Sequence, residues 1–276
     1  MNWTNYHSHT EFSDGKSKPR KYAKRATAMG LLAYGFSDHA PFPLKCDWAM
    51  QAEYLNDYIH AIEEIKKDFN DQIEIYTSLE VDYIPNIISV DSDFIQSLPL
   101  DYTIGSVHFV DHFPDGTPWC IDGPNSVFKM GLNQLFDNDI KMAVHRYYQL
   151  IREMVSTACP SIIGHLDRIK KNNKKERYFT EKKKWYQKEV KKTLECIAQT
   201  NAILEVNTKG YYKKKQDETY PSTWILQIAN ELNIPVHLAS DAHHPDDIVK
   251  GFHFARKELL KVGYKEVRIL LKDKLK

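Results

Sequence analysis

The sequence has 276 residues, 42% of them hydrophobic and 27% charged, which is typical of a soluble globular protein large enough for one barrel-sized domain. Its 38 Lys and Arg residues nearly balance its 37 Asp and Glu residues, which argues against an overall basic field that would attract DNA or an anionic membrane. Four separated cysteines argue against a disulfide framework, and together with a polar N-terminus and the lack of a long apolar run they predict a cytoplasmic protein without a membrane partner.

Short β-branched or aromatic runs alternate with longer amphipathic stretches, which is typical of a parallel sheet whose strands are each followed by a covering helix. The predicted strands are residues 3–7, 31–36, 73–80, 102–108, 161–165, 203–207 and 236–240. The predicted helices are residues 19–29, 52–69, 140–154, 182–199, 222–232 and 248–261. No linker-like tract divides the chain, so these elements predict a single α/β domain spanning residues 1–276.

Two segments differ in amino-acid composition from the rest of the sequence. Residues 111–129 are rich in Pro, Gly and Asp, which predicts a long loop over the site rather than core. Residues 170–192 are strongly basic. That run suits nucleic acid, but we favour a solvated helix face and loop because the overall charge is balanced.

Residues that can bind metals fall at or just after the C-terminal ends of nearly all predicted strands. These candidate ligands are His7, His9, Asp14, His39, Glu80, His108, His165, Asp241 and His243. In a parallel α/β barrel these ends open on one face, where active sites are assembled. Imidazole suits Zn, Mn or Fe and carboxylates suit harder ions, so nine such residues predict two or three divalent metal ions. We interpret Asp38 as a hydrogen-bond acceptor that fixes a neighbouring imidazole.

The segments HSHTEFSDG, SDHAPFP, GSVHF, IIGHLDRIKK, LEVNTKG and SDAHHP follow one another in this order along the chain. Together they resemble the successive motifs of the PHP superfamily, and in particular its stand-alone histidinol-phosphate phosphatases, over almost the whole chain. The resemblance implies a distorted (β/α)7 barrel with a trinuclear metal site. Lys209 departs from the pattern, because a small residue is expected there.

The resemblance also assigns the ligands to three ions. His7, His9, Glu80 and Asp241 would hold the first, Glu80, His108 and His165 the second, and Asp14, His39 and His243 the third. It implies a phosphomonoesterase that hydrolyses L-histidinol phosphate in histidine biosynthesis. We expect in-line attack by a metal-bridging hydroxide, with Arg168 stabilising the phosphoryl charge. Either Asp241 or His243 would transfer the proton to the leaving alkoxide.

Residues that contact the substrate are harder to choose. Arg168 suits phosphate or a surface ion pair equally, and Asn207 suits substrate contact or strand termination. Asp111, Asp115 and Asp122 are positioned in sequence to meet the ammonium group of histidinol phosphate, with His112 nearby. His60, His145 and His253 lie within predicted helices and are interpreted as structural, whereas His244 is left undecided.

Two other functions compete with this prediction. A phosphodiesterase or exonuclease of the same superfamily could use the same metals, but it needs a groove for a strand and rests only on the basic segment. A metal-binding structural or regulatory protein predicts closed coordination around the ions and no phosphate release. The sequence does not fix the oligomeric state.

Overall fold

A computed structural model describes residues 3–44, 46–271 and 274–275. The strands are β1 (Thr4–Asn5), β2 (Ala33–His39), β3 (Glu74–Asp82), β4 (Ile104–Ser106), β5 (Phe109–His112), β6 (Pro118–Cys120), β7 (Ile162–Ile163), β8 (Ile203–Asn207), β9 (Val236–Ala239), β10 (Leu270–Leu271) and β11 (Lys274–Leu275). The helices are α1 (Pro19–Ala28), α2 (Leu55–Phe69), α3 (Asp93–Gln96), α4 (Asn125–Phe136), α5 (Ile140–Thr157), α6 (Lys184–Ile197), α7 (Lys209–Tyr212), α8 (Thr223–Glu231) and α9 (Phe252–Lys261).

Within the described residues, seven strands form one parallel sheet in the order β1-β2-β3-β4-β7-β8-β9. The sheet curves until its two edges meet just beyond β1 and β9. There Ser8 and Ala242 form a parallel bridge, and the backbone N–H of His9 donates to the carbonyl oxygen of Ala242 at 2.8 Å. The result is a nearly closed barrel in a single domain, which confirms the predicted (β/α)7 architecture.

The helices pack on the outer face of this sheet. One hydrophobic cluster joins α5, α6, α8 and α9 to β7, β8 and β9, and a second joins α1 and α2 to β2 and β3. None of the helices in the part of the chain that the structure describes is long and apolar enough to cross a membrane.

Aromatic side chains fill the interior of the barrel below the strand ends. The ring of Tyr6 lies 5.9 Å from that of Tyr76 and 5.8 Å from that of Tyr102. Gly35 on β2 makes room for this packing, because a Cβ there would lie 2.1 Å from the hydroxyl oxygen of Tyr102. The interior is therefore a packed core rather than a channel, and the open end lies at the C-terminal ends of the strands.

The predicted elements are present with shifted ends. β2 and β3 continue to His39 and Asp82, beyond their predicted ends, because polar residues remain buried in the barrel there. The predicted helix at 52–69 starts with a 3₁₀ turn at Ala52–Tyr54. The helix predicted from residue 248 begins only at Phe252, because Gly251 adopts a φ of 81°.

The prediction of a long surface loop at residues 111–129 is wrong. This segment contains the β5–β6 hairpin and the start of α4, a helix that the sequence analysis missed. Trp119 and Phe128 are completely buried in the core, so the segment has its own apolar anchors. Gly131 permits the contact between α4 and the hairpin, since a Cβ there would lie 2.1 Å from the indole nitrogen of Trp119.

Residues 170–192 are predicted to form a solvent-exposed helix face and loop, and this prediction is wrong for the first lysine of the segment. The side chain of Lys170 is 2% exposed, and its ammonium lies 2.7 Å from Asp167 and 3.6 Å from both Glu181 and Glu218. It also donates a hydrogen bond to Ser222. Lys170 is thus a buried structural cation that ties the turn after β7 to the segment before α8.

Candidate metal centre

The nine ligand-type residues lie together at the open end of the barrel. His7 and His9 follow β1, and their Nε2 atoms are 3.1 Å apart. Asp241 follows β9, and its Oδ1 is 3.2 Å from Nε2 of His9 and 4.0 Å from Nε2 of His7. These three buried residues offer ligand atoms within 4.8 Å of one another, so they can share one ion.

Glu80, two residues before the end of β3, lies at the centre of the group. Its Oε2 is 3.2 Å from Nε2 of His7 and 3.0 Å from Nδ1 of His39. Its Oε1 is 3.0 Å from Nε2 of His165 and 3.8 Å from Nε2 of His108. Each carboxylate oxygen therefore faces a different set of imidazoles, which is the arrangement of a bridging carboxylate.

A further group forms on the side of the loop that follows β1. Asp14 Oδ2 lies 3.0 Å from Nε2 of His243, and its Oδ1 lies 3.9 Å from Nδ1 of His9 and 4.0 Å from Nε2 of His39. These four residues again offer ligand atoms within 4.8 Å of one another. The geometry thus adds His9 to the set that the sequence analysis assigned to the third ion.

The donor set fits divalent ions better than it fits hydrogen bonding alone. Nδ1 of His9 and Oδ1 of Asp14 are buried and have no hydrogen-bond partner. Their separation of 3.9 Å is too long for a hydrogen bond. It suits two ligands of one ion, since zinc–nitrogen and zinc–oxygen distances of about 2.0–2.2 Å allow ligand separations up to about 4 Å.

Two carboxylates that the sequence analysis missed hold the imidazoles in place. Asp82 Oδ1 lies 3.0 Å from Nδ1 of His108, and Glu205 Oε1 lies 2.5 Å from Nδ1 of His7. Glu205 also accepts the backbone N–H of His165 at 2.7 Å. Such carboxylates fix the tautomer and orientation of a metal-binding histidine. Strand alternation could have revealed Asp82, because it lies two residues after Glu80 and shares its face.

The pKa of Glu205 shows that it remains a carboxylate. Burial would raise this pKa, but the neighbouring His7 outweighs that effect and lowers it to about 2. Because Nδ1 of His7 lies against this carboxylate, Nε2 is the atom that faces the candidate ligands Glu80 and His9.

The interpretation of Asp38 as an imidazole partner is wrong. Successive residues of a strand point to opposite faces, so Asp38 turns away from the barrel interior that His39 faces. Its carboxylate accepts hydrogen bonds from the backbone and side chain of Thr10 and of Ser13, at 2.6–3.1 Å. Asp38 therefore shapes the loop that carries Asp14.

Arg168 lies at the edge of the centre and is held by Asp122. The carboxylate of Asp122 accepts hydrogen bonds from Nε of Arg168 at 2.9 Å and from Nη2 at 2.7 Å. The third nitrogen, Nη1, lies 3.9 Å from Oδ2 of Asp241. Lys171 binds the same carboxylate at 2.9 Å. Burial would raise the pKa of Asp122, but these two cations hold it well below its usual range. Asp122 is thus occupied by cations and is not a free ammonium acceptor.

Asn207 and Lys209 connect β8 to the centre. The Asn207 amide donates to Glu205 at 3.0 Å and to Asp241 at 3.3 Å, and its side chain is completely buried. Lys209 lies 2.8 Å from Oδ1 of Asp241 and 3.1 Å from Nε2 of His243. Trp48, another residue that the sequence analysis missed, places its ring 4.4 Å from that of His39.

Other predicted site residues lie elsewhere. Asp111 on β5 lines a separate depression with His145, and His112 is likewise absent from the lining of the metal cleft. Asp115 lies in the hairpin turn and accepts the backbone N–H of Thr117 at 2.9 Å. The hairpin turns these side chains away from the centre. His60 is 80% exposed on α2, and His145, His244 and His253 are also at the surface.

The centre forms the floor of a cleft of about 440 Å³. Besides candidate ligands, its walls include Trp48, Cys120, Asp122, Tyr220 and several basic side chains. A cleft of this size accepts a small molecule. A macromolecular strand would need an open groove.

The sequence is similar to the PHP domain family and to proteins described as histidinol-phosphatases or probable histidinol-phosphatases. The model of the PHP domain matches residues 5–209. A probable histidinol-phosphatase of Deinococcus radiodurans is 30% identical over 266 residues, or 95% of this chain and 94% of that protein. The histidinol-phosphatase of Bacillus subtilis is 30% identical over 258 residues, or 88% of this chain and 94% of that protein.

A solved structure shares the fold. The crystal structure of histidinol phosphate phosphatase from Lactococcus lactis, complexed with zinc, L-histidinol and phosphate, matches with a TM-score of 0.72 and 24% identity. The match covers 98% of this chain and 97% of the Lactococcus chain. With the family match spanning well over half of the sequence, this chain belongs to the PHP domain family.

Proposed function

We propose that this protein is a metal-dependent phosphomonoesterase that hydrolyses L-histidinol phosphate to L-histidinol and phosphate. The observation that carries the proposal is the overlap of three ligand groups beneath one cleft. The groups are His7, His9 and Asp241; His9, Asp14, His39 and His243; and His39, Glu80 and His108. The Lactococcus relative, which was crystallised with zinc, L-histidinol and phosphate, supports the choice of substrate. We infer two or three divalent ions, with Zn, Mn and Fe all compatible with this donor set.

His7, His9, Asp14, His39, Glu80, His108, His165, Asp241 and His243 would hold these ions. Bound divalent ions supply charge neutralisation and an activated water for ester hydrolysis. The protein supplies Arg168, whose Nη1 is free of the Asp122 pair and directed toward the centre. We assign Arg168 the role of binding and orienting the phosphoryl group, because a guanidinium matches its oxygen atoms.

The leaving alkoxide needs a proton, and two neighbouring groups are placed to manage it. His243 Nδ1 and Asp241 Oδ1 lie 3.4 Å apart, and both residues line the cleft. We assign the proton transfer to one of these two groups. The buried Asn207 would orient Asp241 rather than contact the substrate itself.

Free thiols suit the cytoplasmic location that we infer for this activity. Cys46, Cys120, Cys159 and Cys196 form no disulfide within the described residues. Reduced cysteines are typical of a reducing compartment. The proposed partner is a small phosphomonoester, which a cleft of about 440 Å³ can accept.

A phosphate-release assay combined with metal analysis of the same sample tests this function. We expect the wild-type enzyme to release phosphate from L-histidinol phosphate. Removing a residue that only supports a metal ligand typically lowers activity about 10- to 100-fold. His9→Ala and Glu80→Ala should each lower kcat/KM by more than that, and should lower the amount of metal bound per protein. His60→Ala on the exposed face of α2 is the matched control. Wild-type turnover and metal content in both ligand variants would contradict the proposal.

A further inference from the structure

The walls of the metal cleft carry an unusual concentration of positive charge. Arg168 and Lys171, which follow β7, are among the Arg and Lys residues that line the cleft. Lys209, Lys213 and Lys215, in and just after α7, are the others. The backbone N–H of Lys213 donates to the carbonyl oxygen of Lys209 at 3.1 Å, so these two lysines are one helical turn apart on the same face.

The acidic residues of the cleft are already committed. Asp14, Glu80 and Asp241 belong to the ligand groups, and Asp122 is bound by Arg168 and Lys171. Among the described residues that line the cleft, every carboxylate belongs to a candidate ligand group or to an ion pair, whereas the basic side chains outnumber the ion pairs. Electrostatics at the cleft mouth therefore favours anions.

The lysines after α7 differ in how far their charge is already balanced. Lys213 pairs with Asp247 at 2.8 Å. That carboxylate also pairs with Lys250 at 2.6 Å, so Lys213 is only partly balanced. Lys215 is exposed at the mouth, and its ammonium has no ion-pair partner within residues 3–44, 46–271 and 274–275. The unpaired Lys215, together with Lys213, matches a singly charged anionic group.

We propose that Lys213 and Lys215 form a second anion subsite, so that phosphomonoesters whose alcohol part carries a carboxylate are further substrates. The inference rests on the proposed phosphatase activity, because the phosphoryl group must still lie on the metal floor beside Arg168. The cleft volume of about 440 Å³ leaves room between floor and mouth for the rest of such a molecule.

Three aryl phosphates that differ only at the para position test this subsite. They carry a methyl group, a carboxylate or an aminomethyl group, which gives a neutral, an anionic and a cationic probe of similar size. The measured quantity is kcat/KM for each charged probe divided by kcat/KM for the methyl probe. This ratio, compared between variants, removes differences in leaving-group chemistry and in overall activity.

The variants are Lys213→Met, Lys215→Met and the double variant. Lys214→Met is the matched control, because Lys214 is an exposed neighbour that does not line the cleft. We expect the carboxylate-to-methyl ratio to exceed 1 in the wild type and to fall about 2- to 5-fold for each lysine removed, the range of exposed ion pairs. The aminomethyl-to-methyl ratio should rise in the same variants.

This opposite response of the two charged probes separates electrostatic recognition from loss of structure, which would lower all three rates together. Raising the ionic strength should shrink the wild-type preference for the carboxylate probe. A carboxylate-to-methyl ratio that is the same in Lys215→Met, the double variant and Lys214→Met would overturn the subsite. Absence of phosphate release from the methyl probe and from L-histidinol phosphate would instead overturn the phosphatase function itself.

Discussion

The guanidinium of Arg168, to which we assign binding of the phosphoryl group, is held by a partner that occupies only part of it. Asp122 accepts two of its N–H groups, and Tyr220 lies under the guanidinium with its ring centre 5.2 Å from Cζ. The remaining Nη1 lies 3.9 Å from Oδ2 of the candidate ligand Asp241. Arg168 is therefore already ordered at the edge of the candidate metal centre, so substrate binding costs little additional conformational entropy of this side chain.

We expect Arg168→Lys to lower kcat/KM for L-histidinol phosphate about 100-fold or more, because a lysine cannot bind Asp122 in bidentate fashion and also reach the phosphoryl oxygen atoms. Steady-state kinetics measures this change, and metal analysis of the same sample should give wild-type content. Arg177→Lys, on the exposed segment before α6, is the control. Full activity of Arg168→Lys would remove Arg168 from the site.

Glu205 is the partner of His7 and controls the orientation of that ring. Glu205→Gln keeps the shape but removes the charge, so Nδ1 of His7 loses an ionised acceptor. We expect metal affinity to fall about 10- to 100-fold, the usual effect of removing such a carboxylate. A competition titration with a metal indicator measures the change. The control is Glu64→Gln, whose side chain is 64% exposed; equal affinities in the two variants would exclude this role.

At the scale of single residues, strand ends were the strongest signal in the sequence. The sequence predicts that His7, Glu80, His108 and Asp241 converge because each lies at or just after the end of a predicted strand, and they lie in one centre. The sequence did not indicate which loop residues turn toward that centre. Asp111 was misplaced because the β5–β6 hairpin carries it to another surface, and this hairpin depends on contacts with α4 that no local pattern shows.

Strands and helices can be predicted from the sequence where a short local pattern of residues distinguishes them. The seven parallel strands are apolar runs bounded by breaks, and all seven are present. The N-terminal end of α1 was also predictable, because Pro19 is favoured in a first helical turn. Helix α4 was missed because its first residues follow a Pro- and Gly-rich stretch, and only its packing on the buried Trp119 distinguishes it from loop.

The buried ion pair between Lys170 and Asp167 connects two of these elements. Asp167 also accepts the backbone N–H of Ser222 at 3.0 Å, just before α8. Burial raises the pKa of Asp167 to about 6, although Lys170 opposes that shift. The pair therefore fixes the segment that leads from β7 past the cleft.

We expect Lys170→Met to lower the free energy of unfolding by about 3–5 kcal/mol, because it leaves the Asp167 carboxylate buried without its cation. The loss should be larger at pH 8 than at pH 5. A carboxyl group whose folded-state pKa is raised binds a proton more readily in the folded state, so stability falls as pH rises through that pKa.

Urea unfolding at both pH values measures this effect. Lys192→Met on the exposed face of α6 is the control and should stay within about 0.5 kcal/mol of the wild type. Adding Asp167→Asn to Lys170→Met should recover part of the loss and remove its pH dependence. A loss equal to that of the control at both pH values would contradict the assigned role of the pair.

The whole barrel is closed by few backbone contacts, and the candidate ligands span the place where it closes. Ser8 and Ala242 form a single bridge there, while His9 and Asp241, their immediate neighbours, face each other at 3.2 Å. Ions bound at this end would therefore link the first and last strands directly. Without ions, clustered imidazoles and carboxylates must be buried with incomplete partners, which is unfavourable.

Chelation should accordingly destabilise the whole molecule and not only inactivate it. Ligand binding at 100 to 1,000 times the dissociation constant stabilises a protein by about 2.7–4.1 kcal/mol. Because about 1 kcal/mol shifts the Tm of a protein of roughly this size by about 2–4 °C, removal of the ions should lower Tm by about 5–15 °C. Differential scanning calorimetry before and after EDTA, and after restoring Zn²⁺ or Mn²⁺, measures the shift. The combined variant His9→Ala and Glu80→Ala should show little response to EDTA, since it lacks His9, which two of the ligand groups share, and Glu80, which belongs to the third. An unchanged Tm in chelated wild-type protein, from which metal analysis confirms the ions are gone, would show that the strand ends hold together without them.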